Sequence, residues 1–431
     1  MIRTTRRRVA ALAAAAALTP LAATAPATAA VPRPATAALR AAAAAQIPCP
    51  KPVVPPPPGR PPRPVPPPDD PVRRAVGGAA LATDGLIIPA GAPRPPAITA
   101  TTWLVADLDT GQVLGGCGPH VYQTPASVQK TLLAAAVMGK LDPRQQARIV
   151  RSDLDIEPYS SAVGLLVGGR YPISTLWLGL LLNSGNDAAN ALARLAGGGG
   201  PDGPAKTVAE MNALARRLGA FQTHAVTPSG LDGKGQFTSA YDLALIARVC
   251  FASADFRRYS LTRTAQMPAQ PALKAAGFQF QNENRLIFEY PGALGGKTGF
   301  TKIARHSYLG AADRNGRRLV VTLLGAEARP LRSWQQGAAL LDWGFSLPRN
   351  AEVGRLVEPR DVAAAAAGGD AKPSASAPAA PSRPRAARPA AVPSRLLSVG
   401  AAATVAVVLA GMPLLLLLTQ RRRRRPVRRP R

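Results

Sequence analysis

Ser127-Val128-Gln129-Lys130 places a hydroxyl and an amine three residues apart. On a helix those positions share a face, close enough for proton transfer. A serine hydroxyl is a poor nucleophile and needs a base, and lysine acts as one only where burial or a neighbouring charge lowers its pKa. A serine in a first helical turn also offers backbone N–H groups to a developing oxyanion. Ser184-Gly185-Asn186 adds a hydroxyl able to relay a proton and a carboxamide able to hold a substrate amide. Lys297-Thr298-Gly299 adds an ammonium and a hydroxyl, together a receptor for a carboxylate. Its glycine lets a substrate backbone approach and pair with a strand edge. Each triplet alone has a plain explanation: a solvated helix start, an N-cap serine, a hairpin turn. Their order and separations unite them: S-x-x-K, then S-x-N 57 residues on, then K-T-G another 113 on.

With these three elements in that order, the chain resembles the penicillin-recognising serine enzymes. DLDTGQVL, TPASVQK, LLNSGNDAANALA, AEMNALARRLG, SGLDGKGQFTSAYDLALIA and GALGGKTGFT narrow the resemblance to the low-molecular-mass D-alanyl-D-alanine carboxypeptidases, over residues 98–346. It implies a β-lactamase/transpeptidase-like α+β fold and no cofactor. Ser127 would be the acylated nucleophile, Lys130 its general base and Ser184 a proton relay. Asn186 would bind the substrate amide, and Lys297 and Thr298 the terminal carboxylate, beside Gly299. The N–H groups of Ser127 and Phe300 would form the oxyanion hole. The implied partners are a peptidoglycan stem peptide ending in D-Ala-D-Ala and, as inhibitors, β-lactams. Two departures stand out. Pro228-Ser229-Gly230-Leu231 occupies the place where Pro-His-Gly-Leu is expected, and Ser229 receives no role. The β-rich domain that follows the catalytic one in many relatives is not expected after WGFSLP.

Three alternatives are weighed against this reading. A class A β-lactamase needs a glutamate some way past S-x-N to activate the deacylating water, and no acid lies between Met211 and Leu231. D,D-endopeptidase or transpeptidase activity differs only in which peptide or nucleophile engages the acyl-enzyme. A non-catalytic penicillin-binding sensor would keep the fold but has no need of three intact elements. His120, His224 and His306 form neither a triad nor a zinc spacing, and are read as incidental.

The elements that must position these groups are legible in the local pattern. Residues 101–116 read as two strands around an Asp-Thr-Gly turn. A helix begins at Pro125. LWLGLLLN leads into a helix stopped by Gly197 to Gly200, and VAEMNALARRLGA is amphipathic with Met211, Leu214 and Leu218 on one face. SAYDLALIARVCF is a further helix. GGKTGFT and the following segment read as antiparallel strands with Asn315-Gly316 as a hairpin turn, and LRSWQQGAALLDWGF as a closing helix. Strands, an all-helical middle, strands and a last helix predict an antiparallel sheet packed against helices, with an inserted helical subdomain.

The ends read differently from the middle. Residues 1–30, with Arg3, Arg6, Arg7 and Arg8 before an apolar stretch and small residues at Ala27 and Ala29, read as a signal peptide. Residues 31–79 and 349–395, rich in Pro and Ala, read as linkers flanking a catalytic domain at 80–348. Residues 396–418 are apolar and uncharged, long enough to span a bilayer. The arginine-rich tail 419–431 then predicts a cytoplasmic C-terminus, leaving the domain on the outer face of the membrane as a single-pass protein. The net charge of +29 does not point to nucleic acid: residues 80–348 hold 26 Lys and Arg against 18 acids, net +8, so the remaining +21 lies in the ends. Cys49, Cys117 and Cys250 leave at least one thiol without an intramolecular partner, and the sequence does not choose among pairings or none.

Overall fold

The computed structural model describes residues 46–55 and 59–368. The expected signal peptide 1–30, membrane span 396–418 and basic tail 419–431 lie outside the described residues. Among the described residues no helix is long and apolar enough to cross a membrane.

A short helix, α1 (Pro71–Arg74), precedes strands β1 (Leu86–Ile87), β2 (Thr102–Asp107) and β3 (Gln112–Cys117). A long insertion follows. It carries α2 (Lys130–Val137), β4 (Gln146–Arg148), β5 (Arg170–Pro172), α3 (Ile173–Leu182), α4 (Asn186–Ala196), α5 (Gly203–Leu218), α6 (Ala240–Ala252), α7 (Ala254–Leu261), β6 (Thr264–Met267), β7 (Phe278–Gln281) and α8 (Leu286–Glu289). The chain rejoins the sheet as β8 (Ala293–Thr301), β9 (Arg305–Arg314) and β10 (Arg317–Ala326), then forms α9 (Ser333–Ser346), β11 (Gly354–Arg355) and α10 (Pro359–Gly368). The antiparallel sheet runs β1-β3-β2-β10-β9-β8, with β11 on β3. Two short hairpins, β4–β5 and β6–β7, interrupt the insertion, so it is not all-helical as the sequence suggested.

The central strands are buried on both faces, which explains their nearly continuous apolar sequence. Along β2, Leu104 and Ala106 face one cluster while Trp103 and Val105 face the other; in β10, Val320 and Leu324 oppose Leu319, Val321 and Leu323. The first cluster packs against α2 and α6, and the second against α9. Met211 and Leu218 of α5 are buried as expected, with Leu214 partly so. The β9–β10 hairpin turns at Asn315 and Gly316 with φ of 52° and 72°, the positive pair a tight hairpin requires.

The compact part reaches beyond both boundaries expected for the domain. Cys49 is disulfide-bonded to Cys117 at the end of β3. Leu86 N–H donates to Ile47 O at 2.7 Å, and Lys51 donates to Ala100 O. A proline-rich segment keeps its carbonyls free, and here Ile47 O and Pro50 O accept from the N–H groups of Leu86 and Ile98. At the other end Val353 N–H donates to Val113 O at 2.8 Å and Leu356 is buried, so the last residues return to the sheet as β11. Cys250 is buried and unpaired.

Candidate active site

Ser127 lies in a 3-10 turn, Ala126–Gln129, that runs directly into α2. Ala126 before it has φ of 51°, a left-handed conformation costly for alanine. Neighbours hold it there. Ser307 Oγ on β9 donates to Pro125 O at 2.6 Å, and Gln129 Nε2 donates to Gln236 Oε1 at 2.9 Å. Gly230, with φ of 85°, packs so close to Ala126 that a Cβ there would collide with its carbonyl.

Lys130 Nζ is fully buried and lies 2.8 Å from Ser127 Oγ. It also donates to Asn186 Oδ1 at 2.7 Å and to Ser229 O at 2.7 Å. Burial drives its pKa well below the ordinary lysine value, and the nearby Lys297 ammonium lowers it further. A neutral lysine has two N–H groups and one lone pair. With both N–H groups taken by the carbonyl oxygens of Asn186 and Ser229, the lone pair is left for the serine hydroxyl.

Ser184 sits between α3 and α4 with φ of 60°. It is not an N-cap: Gly185 holds that position without a side-chain bond, and Ser184 Oγ is buried without a hydrogen-bond partner among the described residues. Its relay contact to Lys130 is therefore not formed. Asn186 opens α4, its N–H donating to Ser161 O at 2.8 Å. The next residue, Asp187, accepts from the N–H groups of Val163, Gly164 and Leu165 at 2.9, 2.9 and 3.0 Å. It thereby pins the segment that follows Tyr159, Ser160 and Ser161 on the cleft rim.

Strand β8 is the last of the sheet, so one of its edges is open. Its Gly299 faces the Ser127 turn so closely that a Cβ would stand 2.8 Å from Ser127 N and 2.5 Å from Ser307 Oγ. Lys297 is buried, its Nζ donating to Thr298 O at 2.7 Å, and burial lowers its pKa to about 8. Phe300 is half-exposed and stacks on His306 with ring centres 4.6 Å apart, with the Arg305 guanidinium 5.5 Å from the Phe300 ring. Ser127, Ser184, Asn186, Thr298, Gly299 and Phe300 line one cleft of about 790 Å³.

All three sequence elements therefore converge. Several contributors were given no role from the sequence. Ser229 acts through its main-chain oxygen, which side-chain chemistry cannot announce; the glycine after it was the available sign. Asp187 looked like an ordinary first-turn acid. His306 lines the cleft, whereas His120 is a buried structural residue bonded to Gln222 and to Val76 O.

Residues 90–328 match the family model for peptidase S11, D-alanyl-D-alanine carboxypeptidase. D-alanyl-D-alanine carboxypeptidase DacB2 of Mycobacterium tuberculosis is 43% identical over 278 residues, covering 63% of this chain and 91% of that protein. DacD of Salmonella typhimurium is 34% identical over 275 residues, 62% and 67% of the two chains. The crystal structure of D-alanyl-D-alanine carboxypeptidase from Mycobacterium tuberculosis H37Rv aligns with a TM-score of 0.58 at 42% identity, covering 63% of this chain and all of that one. The Streptomyces K15 DD-transpeptidase aligns at 0.56 with 26% identity, covering 59% and 99%. An α+β fold with this sheet order, a buried lysine against Ser127, and a family match over more than half its length make this chain a member of the peptidase S11 family of D-alanyl-D-alanine carboxypeptidases.

Proposed function

We propose that this chain removes the terminal D-alanine from peptidoglycan stem peptides through an acyl-enzyme at Ser127, working on the outer face of the membrane. The observation that carries the residue roles is the 2.8 Å contact between Ser127 Oγ and a buried lysine whose remaining hydrogens have carbonyl partners. Lys130 takes the hydroxyl proton as Oγ bonds to the carbonyl carbon of the penultimate D-alanine. The N–H groups of Ser127 and Phe300 hold the oxyanion. The C–N bond breaks, and Lys130 passes the proton to the leaving amine, with Ser184 as the relay once its unpartnered hydroxyl turns toward the lysine. Water then adds to the ester carbon as Lys130 accepts its proton, and the Oγ–C bond breaks as Lys130 returns that proton to Oγ, restoring the serine. Asn186 binds the substrate amide, and Lys297 and Thr298 bind the terminal carboxylate. A β-lactam takes the same path to the acyl stage, and with no acid between Met211 and Leu231 to activate water the adduct persists.

Residues 1–30 export the chain and 396–418 hold it, with 419–431 on the cytoplasmic side. One experiment addresses both parts. Cell fractions expressing the full chain are labelled with fluorescent penicillin, and release of D-alanine from a stem peptide is followed in parallel. Label and release are expected in the membrane fraction, lost in Ser127→Ala, and moved to the medium when the chain stops at residue 395. An unlabelled intact protein would reverse the enzymatic reading. Label that stays on the membrane after truncation would reverse the anchor.

A further inference from the structure

The segment Asn282-Glu283-Asn284-Arg285 alternates strictly between buried and exposed. Asn282 Nδ2 donates to Ser260 O and Thr262 O, both at 3.0 Å, and Asn284 Oδ1 accepts from Tyr308 OH at 3.0 Å. Between them Glu283 N–H donates to Leu182 O at 3.0 Å, at the end of α3 just before Ser184. Two buried asparagines and one main-chain bond thus fix the backbone and turn the Glu283 side chain into the cleft, where it is the sole carboxylate among the described lining residues.

We propose that Glu283 is a positioning residue for this reaction: an open carboxylate in the cleft wall that keeps Lys297 a cation, ready for the terminal carboxylate of the substrate. The inference rests on the reading of Lys297 as part of the carboxylate receptor.

The charges around Lys297 support it. On the nucleophile side stands Lys130, a like-charge neighbour whose pKa burial and Lys297 lower and the Asp187 and Glu283 carboxylates raise. The other charged groups on elements packed against β8 are matched among the described residues. Arg305 and Arg314 of β9 pair with Glu327 and Asp342, Arg258 of α7 pairs with Asp255, and Glu289 of α8 pairs with Arg285. Arg257 donates to main-chain oxygens, and Asp313 caps the distant hairpin by accepting from Gly316 N–H. Burial pushes His306 down and Tyr308 up, so both are neutral near pH 7. Arg329 and Arg332 line the far wall and have no carboxylate within 4.0 Å among the described residues, so they add positive charge to the cleft. Glu283 is in no ion pair among the described residues, and its charge is the only one that opposes burial at Lys297.

The test compares pH profiles of kcat/KM for D-alanine release by the full-length enzyme and by Glu283→Gln, Glu283→Asp and Lys297→Gln. The alkaline limb reports loss of the Lys297 proton. In Glu283→Gln it moves about half a pH unit toward acid, a roughly threefold loss on that limb, because an exposed carboxylate is partly screened. The acid limb, governed by Lys130, moves the same way, because the Glu283 charge raises that lysine too. Glu283→Asp keeps the charge and restores most of the limb, which a merely structural role would not predict. Added salt narrows the gap between wild type and Glu283→Gln. An alkaline limb unchanged in Glu283→Gln, with the same limb abolished in Lys297→Gln, overturns the role of Glu283 and leaves the carboxylate receptor standing. A limb that survives in Lys297→Gln overturns the receptor reading and this proposal with it.

Discussion

Lys130 and Lys297 are the same residue type, both buried, and the chemistry asks opposite things of them. In the proposed mechanism Lys130 is neutral, to accept the Ser127 proton, and Lys297 is charged, to hold a carboxylate. Their coupling separates the two, because the Lys297 ammonium depresses Lys130 further. As pH rises, activity first grows as Lys130 loses its proton, then falls as Lys297 loses its own at about 8. A plot of kcat/KM for D-alanine release against pH is therefore expected to be a bell with its alkaline limb near pH 8. A rate still climbing well beyond that point would contradict the assignment. The side chains that meet in the cleft were legible, because hydroxyl, amine and carboxamide are properties of side chains at fixed spacings. The Ser229 oxygen was not, since a carbonyl belongs to every residue and only the fold selects which one faces inward.

The elements that deliver these groups differ in how plainly their sequences declare them. β2, β3, β9 and β10 were readable from apolar runs and from two turns, Asp107 accepting from the N–H groups of Asp109 and Thr110, and the Asn315-Gly316 pair. The hairpins β4–β5 and β6–β7 were not, because strands of three or four half-exposed residues carry too little alternation to register. The start of α2 was read as α-helical from Pro125, whereas the Ser127 turn is 3-10 and strained at Ala126. Asp187 shows how one residue governs an element it does not belong to. Asp187→Ala would leave three N–H groups at 163–165 without their acceptor, at a cost of about 2–4 kcal/mol. Chemical denaturation is expected to show that loss, together with slower penicillin acylation as the rim carrying Tyr159 shifts. Unchanged stability would mean that water replaces the carboxylate without penalty.

On the scale of the whole molecule, the compact unit is longer than composition suggested, at both ends. Polyproline segments were read as spacers because they cannot build a core of their own; this one need not, since the sheet edge and Cys117 receive it. The choice of partner for Cys49 depended on which end of β3 the strap reaches, which spacing alone does not fix. The bond closes a loop across a separation of 68 residues, so in the chain-entropy account its removal costs up to about 4 kcal/mol. Cys49→Ser is expected to lower the melting temperature, and reduction of the wild-type protein to do the same, with no effect of reductant on the variant. An equal melting temperature in both proteins would show that the strap's remaining hydrogen bonds suffice. The same linkage bears on cleavage of the chain. Lys51, Arg60 and Arg63 each precede a proline, so trypsin-like proteases find their first suitable bond in the strap after the exposed Arg73. A nick there yields two polypeptides that stay covalently joined through sulfur. The clipped enzyme would migrate as one species until a reductant parts it.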